Sequence, residues 1–395
     1  MYGPAVRDVF VSALRLGLTS FGGPIAHIGY FREEYVERRR WFDEREFGDL
    51  LALCQSLPGP ASSQLGIAIG TIRAGIWGGI LAWLGFTLPS AAALVGFGLL
   101  VSSADISTAG WVHGLKLAAV AVVAQAVIAL ATALAPDWRR RLLAIAAAAV
   151  VLAWQDPVAQ LAVIGGGAVA GMIMRPAPEA VPVPKPATDR RRPGRRTAVA
   201  ALAVFAGLFL VLAVARTLTG NEAVGMVETL YRTGSLVFGG GHVVLPLLHS
   251  GIVEPGWVAE DRFLAGYGAA QAVPGPLFSF ASYLGAIAAP LGGVGGAIVA
   301  LVAIYVPSFL LVVGVLPFWD SLRRSRRFRS ALTGTNAAVV GLLAAALYHP
   351  IWTGSVMSAI DVSLVILAFV TLGTRRVPPI VVVAASALAG QLLAG

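Results

Sequence analysis

Runs of apolar residues about 20 long alternate with short charged or Pro/Gly-rich breaks along the whole chain, and each could cross a hydrocarbon core about 30 Å thick at 1.5 Å per helical residue. The runs lack the strict alternation of barrel strands, and a backbone in lipid has to satisfy its polar groups within the segment, so the pattern predicts helices. They fall near residues 6 to 30, 47 to 71, 74 to 101, 113 to 135, 140 to 155 and 157 to 174. Residues 175 to 197 then carry six prolines and seven Lys or Arg, an extended and solvated composition. One more run spans about 198 to 216, and six follow near 222 to 249, 262 to 288, 291 to 317, 329 to 349, 356 to 373 and 377 to 394. The expected fold is all-α: a polytopic membrane helical bundle of about 13 transmembrane segments.

The two halves repeat one another. Arg15, Gly17, Phe21, Gly22 and Gly23 recur as Arg232, Gly234, Phe238, Gly239 and Gly240, at an offset of 217. Trp41, Phe47, Gln55, Pro58, Gly59 and Pro60 recur as Trp257, Phe263, Gln271, Pro274, Gly275 and Pro276, at an offset of 216. Pro89-Ser90 corresponds to Pro307-Ser308, and Gly114 with Lys116 to Gly334 with Asn336. Chance likeness between apolar segments would not keep helix breakers in register. We divide the chain into an N-terminal module (1–174), a basic Pro-rich linker with a joining helix (175–216) and a C-terminal module (217–395). Six spans and one joining span place the second module upside down, an inverted repeat with broken helices of the kind used by secondary transporters.

Composition supports a lipid environment: 57% of residues are hydrophobic and 12% charged, against roughly 25% charged in soluble domains. The formal charge of +9 sits in clusters between spans rather than on one continuous face, which argues for membrane orientation and against nucleic acid as a partner. A cytoplasmic N-terminus in the inner (plasma) membrane puts Arg73, Arg139 to Arg141, the linker, Arg323 to Arg329, Arg375 and Arg376 inside. One loop disagrees: residues 31 to 46 fall outside despite five arginines, and an amphipathic surface helix is expected there. The first apolar run carries Arg15 and no small-residue cleavage site, so it is expected to stay as a span. Cys54 is the lone cysteine, so a disulfide within the chain is excluded. The scattered histidines show no metal-site spacing, and neither a metal nor a cofactor is expected.

Candidate chemistry lies at the repeated breaks. Phe21-Gly22-Gly23-Pro24 and Phe238-Gly239-Gly240-Gly241 weaken a helix at the same place in both copies, the pointer expected for a transport site. Gln55 through Pro60, and Gln271 through Pro276, set two prolines around a glycine, so helices resuming after Pro60 and Pro276 expose N–H groups suited to an anion. Ser62, Ser63 and Gln64 in one copy and Ser279 in the other add neutral donors. Arg15 and Arg232 carry guanidinium forks suited to a tetrahedral dianion, and Lys116 one more positive charge, with Asn336 at its equivalent position. His27 and His242 lie near the breaks but are not equivalent under the repeat, while His113, His249 and His349 near span ends read as interfacial. No Walker loop and no paired acid and base occur within the spans, so the chain reads as no enzyme.

Phe21 through Gly29, the Gln55 to Pro60 segment with Gly66 and Gly70, and their second-half counterparts closely resemble the chromate ion transporter (CHR) family in its long, two-module form. The resemblance covers nearly all of residues 8 to 135 and 222 to 349. It implies efflux of chromate from the bacterial cytoplasm, chromate resistance, and sulfate as the similar competitor. Residue types alone do not separate chromate from sulfate; a sulfate or other oxyanion transporter and a membrane sensor or scaffold without flux stay open. The pattern leaves room for a homodimer.

Overall fold

The computed structural model describes residues 3–21, 23–103, 109–154, 157–174, 193–238, 243–322, 324–374 and 376–394. Among them every regular element is helical. The first module comprises α1 (Gly3–Thr19), α2 (Gly23–Arg32), α3 (Glu44–Ser56), α4 (Ala61–Ser103), α5 (Gly110–Leu134), α6 (Trp138–Ala153) and α7 (Pro157–Met174). The joining helix α8 (Arg195–Thr219) follows. The second module comprises α9 (Glu222–Leu236), α10 (Val244–Leu248), α11 (Glu260–Ala272), α12 (Phe280–Ile287), α13 (Gly293–Val315), α14 (Trp319–Leu322), α15 (Arg326–Ala346), α16 (Ala359–Gly373) and α17 (Pro379–Ala394). Five stretches are long and apolar enough to cross a membrane: Ala61–Ser102, Gly110–Leu134, Arg195–Thr219, Gly293–Leu322 and Arg326–Trp352. The first of these is two arms, because Ala74 and Gly75 (φ +70°) leave helical geometry and the chain turns back with Gly70 packed on Gly78.

The breaks reverse the chain. α1 runs beside the long second arm of α4: Gly85 touches Phe10 and Ala13, and Gly17 touches Phe86. After the break the chain runs back beside residues 61–73, with His27 against Ser62, Phe31 against Gly66 and Trp41 against the Arg73 guanidinium at 4.7 Å. α3, started by an Asp43–Glu46 capping box, leaves from Trp41, and the first arm of α4 returns to it. The second module repeats this. Gly251 packs on Thr229 and Gly225 on Trp257, while the Tyr283 hydroxyl donates to the Arg262 carbonyl (2.7 Å) and the Ala289 N–H to the Trp257 carbonyl (3.2 Å).

Four expected spans are therefore corrected. Residues 6 to 30, 47 to 71, 222 to 249 and 262 to 288 are each broken midway, and their two arms fold back on one another as helical hairpins instead of continuing as one straight helix. A 13-residue arm such as α3 reaches about 20 Å, far enough to bring its apex to mid-depth, and a hydropathy window cannot tell two half-depth arms from one crossing.

The hairpin pairs enter from opposite ends. Near residue 76 the long arm of α4 is surrounded by the open ends of the first-module hairpins; farther along, Ala91 accepts from Ser282 (3.3 Å) and Gly98 meets Tyr283 and Ile287. α13 runs antiparallel to that arm, with Tyr305 and Phe309 around Trp83, and its Leu311–Leu316 end shares a core with Phe47 and Leu50. The second module is thus inverted relative to the first.

The basic clusters gather at one end. α5 begins at the opposite end, where Lys116 reaches Asp261, so Arg139, Arg140 and Arg141 after it return to the Arg73 end. Arg195 lies over Phe318 at that same end (5.8 Å), and Arg326, Arg327 and Arg376 join it. Residues 31–46 share this basic face, which corrects the expectation that they lie across the membrane from the other clusters. In place of a separate amphipathic helix, a wide helical turn (Glu33–Arg38) extends α2, and its charges pair locally: Arg32 with Glu37 (2.6 Å) and Glu44, Arg38 and Arg39 with the buried Glu34 (3.2 and 2.5 Å).

Beyond the hairpins the modules interleave. Gly167 and Gly171 of α7 pack backbone to backbone on Gly334 of α15, and α6 meets α15 where Ala144 touches Gly341. Reciprocally, Ser386 and Gly390 of α17 pack on Gly114 and Gly110 of α5. Small residues allow such close approach where lipid offers no hydrophobic drive for helix association.

Candidate functional site

The hairpin apices meet one another. The Gly59 N–H donates to the Val237 carbonyl (2.6 Å), and the Gly275 N–H to the Ser20 carbonyl (2.9 Å). Ser20 and Val237 are equivalent under the repeat, as are Gly59 and Gly275, so each Pro-Gly-Pro apex docks on the break preceding Phe21 or Phe238 in the other module. Both glycines have positive φ, +122° and +100°, which admits the bend without a Cβ clash. The crossing helices contribute pseudo-equivalent serines: Ser308 Oγ lies 2.7 Å from where a Cβ on Gly59 would be, and Ser90 Oγ 2.8 Å from the same point on Gly275.

Electrostatically, four outgoing arms end here with carbonyls and four returning arms begin here with N–H groups. The carbonyls of Ser20 and Val237 are engaged by the glycines, and that of Pro58 by Gln64 Nε2 (2.6 Å). The first-turn N–H groups of α4 after Pro60 have no intrahelical acceptor. The neighbourhood is polar and buried: Ser62, Ser63 and Gln64 are shielded from solvent, with Ser62 Oγ 3.4 Å from His27 Nδ1 and Ser63 Oγ 3.4 Å from the Tyr305 hydroxyl. Ser20 Oγ, Ser308 Oγ, Gln64 Oε1 and Gln271 Nε2 are buried without a partner.

Of the expected site residues, Gly59, Pro60, Ser62, Ser63 and Gln64 form this crossing together with Gly275, Pro276 and Ser279. Pro58, Pro274, Phe21, Phe238 and Gln271 are half-buried at the apices, and Gln55 is exposed on the last turn of α3. The Ser279 hydroxyl is engaged by the Pro276 carbonyl (2.6 Å). Gly23, with φ +78°, and Pro24 open α2. Gly22, Gly239, Gly240, Gly241 and His242 lie outside the described residues, as does most of the linker (175–192).

The cations stand apart. Arg15 is exposed on α1, while Arg232 bonds Glu228 (2.8 Å), which also holds Arg216 (2.8 Å). The residue equivalent to Glu228 in the first module is Val11, so the two arginines have unlike surroundings. Lys116 is buried against Asp261 of the second module at 2.6 Å and is not a spare positive charge. Asn336 is half-buried on α15, midway between Gly334 and Ala338, which meet α7. His249, expected at the interface, is buried. Ser20, Ser90, Ser308 and Tyr305 were missed; the Pro-Ser pair kept in register between the halves was the signal available for two of them.

The chromate transporter family model matches residues 7–172 and again 224–391. The chain belongs to the chromate transporter family. Among relatives of this transporter, the chromate transport protein of Pseudomonas aeruginosa is 28% identical over 98% of this chain and 92% of its own length. That of Cupriavidus metallidurans is 26% identical over the same shares, and a probable chromate transport protein of Synechococcus elongatus is 28% identical over 84% of this chain and 81% of its own. No solved structure matches the transporter. Family membership and the apolar helices make it an integral membrane protein with a chromate transport role.

Proposed function

We propose that this chain exports chromate from the cytoplasm by alternating access, holding the anion at the crossing of the four hairpin apices. The observation that carries this is the reciprocal docking of Gly59 on Val237 and Gly275 on Ser20, which joins broken helices entering from both ends. The basic face is the cytoplasmic face of the plasma membrane, and the N-terminus lies there. Outward movement of an anion follows the inside-negative potential, at about 2.3 kcal/mol per charge per 100 mV, so export needs little further drive.

Because α6 and α7 pack on α15, and α16 and α17 on α5, the repeats cannot part as two rigid halves. The moving bodies cut across the repeat: the four hairpins with the long arm of α4 and α13 form one, and α5 to α7 with α15 to α17 form the other. The test is chromate uptake into inside-out vesicles, compared with right-side-out vesicles and with Gly59→Val, with sulfate and molybdate as competitors. Uptake confined to inside-out vesicles is expected. Uptake unaffected by Gly59→Val would remove the crossing from the pathway, and no anion flux from either orientation would leave a sensor or scaffold.

A further inference from the structure

Gly59 is flanked by two fully buried polar groups whose hydrogen-bonding capacity is unused and opposite in kind. Ser308 Oγ, from the other module, has no partner and can donate. Gln64 also touches the position a Cβ on Gly59 would take, and its amide orientation is set chemically, because Nε2 must donate to the Pro58 carbonyl. Gln64 Oε1 is therefore an acceptor, and it too has no partner. The pseudo-equivalent Ser90 lacks this freedom: its hydroxyl donates to the Thr87 carbonyl at 3.0 Å. A buried unsatisfied group costs about 1–3 kcal/mol, so an unused donor and an unused acceptor beside one helix start call for a guest that accepts and donates.

Taking the crossing as the transport site, we propose that Ser308 and Gln64 select the monoprotonated form of a tetrahedral oxyanion. Ser308 and the first-turn N–H groups of α4 donate to its bare oxygens, and Gln64 Oε1 accepts its single O–H. A doubly charged guest would leave Gln64 Oε1 facing anionic oxygens. The Born cost of a dianion is also about four times that of a monoanion, and neither Arg232, bound to Glu228, nor Lys116, bound to Asp261, is free to offset it. This separates chromate from sulfate, which residue types alone do not. Hydrogen chromate gives up its proton near neutral pH and is abundant there, whereas hydrogen sulfate is a far stronger acid and is essentially absent.

Among the described residues the titratable groups beside this helix start are His27, against Ser62, and Tyr305, against Ser63, and His27 is the one whose titration could imitate that of the guest. The test is initial chromate flux in proteoliposomes at fixed total chromate from pH 5.5 to 8.5, for wild type, Gln64→Met, Ser308→Ala and His27→Gln, each checked for a monodisperse elution profile. Wild-type flux should track hydrogen chromate, with sulfate a weak competitor. Gln64→Met should lose roughly tenfold in chromate flux and flatten the pH profile, as expected for one lost buried hydrogen bond. Ser308→Ala should raise KM roughly tenfold with the profile kept. Ser308→Thr should recover most of the loss if the first variant misfolds. Flux that tracks the dianion, a profile that survives Gln64→Met but vanishes in His27→Gln, or an unchanged chromate-to-sulfate ratio in Gln64→Met would overturn the proposal, the last leaving Gln64 as host to a structural water. Absence of any anion flux in wild type would instead remove the transport site itself.

Discussion

A glycine carries the site at the scale of single residues. Gly59 needs φ +122° and has Ser308 Oγ and Gln64 at the position of a Cβ, so any side chain there is both strained and clashing. Gly59→Ala is expected to cost about 2–4 kcal/mol and to stop transport, checked by the detergent melting midpoint and by flux. The equivalent arginines show how a repeat diverges residue by residue. Arg232 is bound by Glu228, at 8% side-chain exposure, whereas Arg15 is exposed and the position equivalent to Glu228 is Val11. Removing the carboxylate in Glu228→Ala leaves Arg216 and Arg232 to repel each other beside the hairpin, and a loss of about 3 kcal/mol is expected in chemical denaturation. Arg15→Ala, at an exposed site, should move stability by under about 0.5 kcal/mol.

Elements are held by contacts of bare backbone. A Cβ on Gly334 would strike Gly167 and Gly171, and one on Gly114 would strike Ser386, so these glycine-lined crossings fix α7 on α15 and α17 on α5. Gly334→Leu should force the pair apart and yield aggregated protein on size-exclusion chromatography, while Gly165→Leu on the open side of α7, where a Cβ meets nothing within 4 Å, should elute as wild type. The breaks were legible in the sequence as Phe-Gly-Gly and Pro-Gly-Pro, because glycine and proline act on the backbone locally. Their consequence was not. A break that kinks a crossing helix and one that turns the chain back have the same residues, and only the packing of Phe31 on Gly66 and of Arg73 on Trp41 distinguishes them.

For the whole molecule, returning hairpins change the map of the loops without changing the relative orientation of the modules. Two hairpins replace two crossings in each module, an even change that leaves the second module inverted. The 31–46 loop moves to the basic face, so the one conflict with the distribution of arginines disappears. Reporter fusions at positions 36, 185 and 326 should therefore all report the cytoplasmic side, and a fusion at 256 the other. A periplasmic signal at 36 would restore a straight crossing through residues 47 to 71.

By itself the sequence determined the solvent, the helical class, the duplication and the residues of the apices, because apolar length, glycine, proline and a register of helix breakers act over short stretches of chain. It also carried the family, through rare motifs in a fixed order. Only the tertiary structure decided that the apices of one module dock on the other, that Lys116 has Asp261 as its carboxylate partner, and that Ser308 and Gln64 share one glycine. These are contacts between segments far apart in the chain, as with the 145 residues separating Lys116 from Asp261, and they depend on where each chain reversal brings a side chain, which no local pattern encodes.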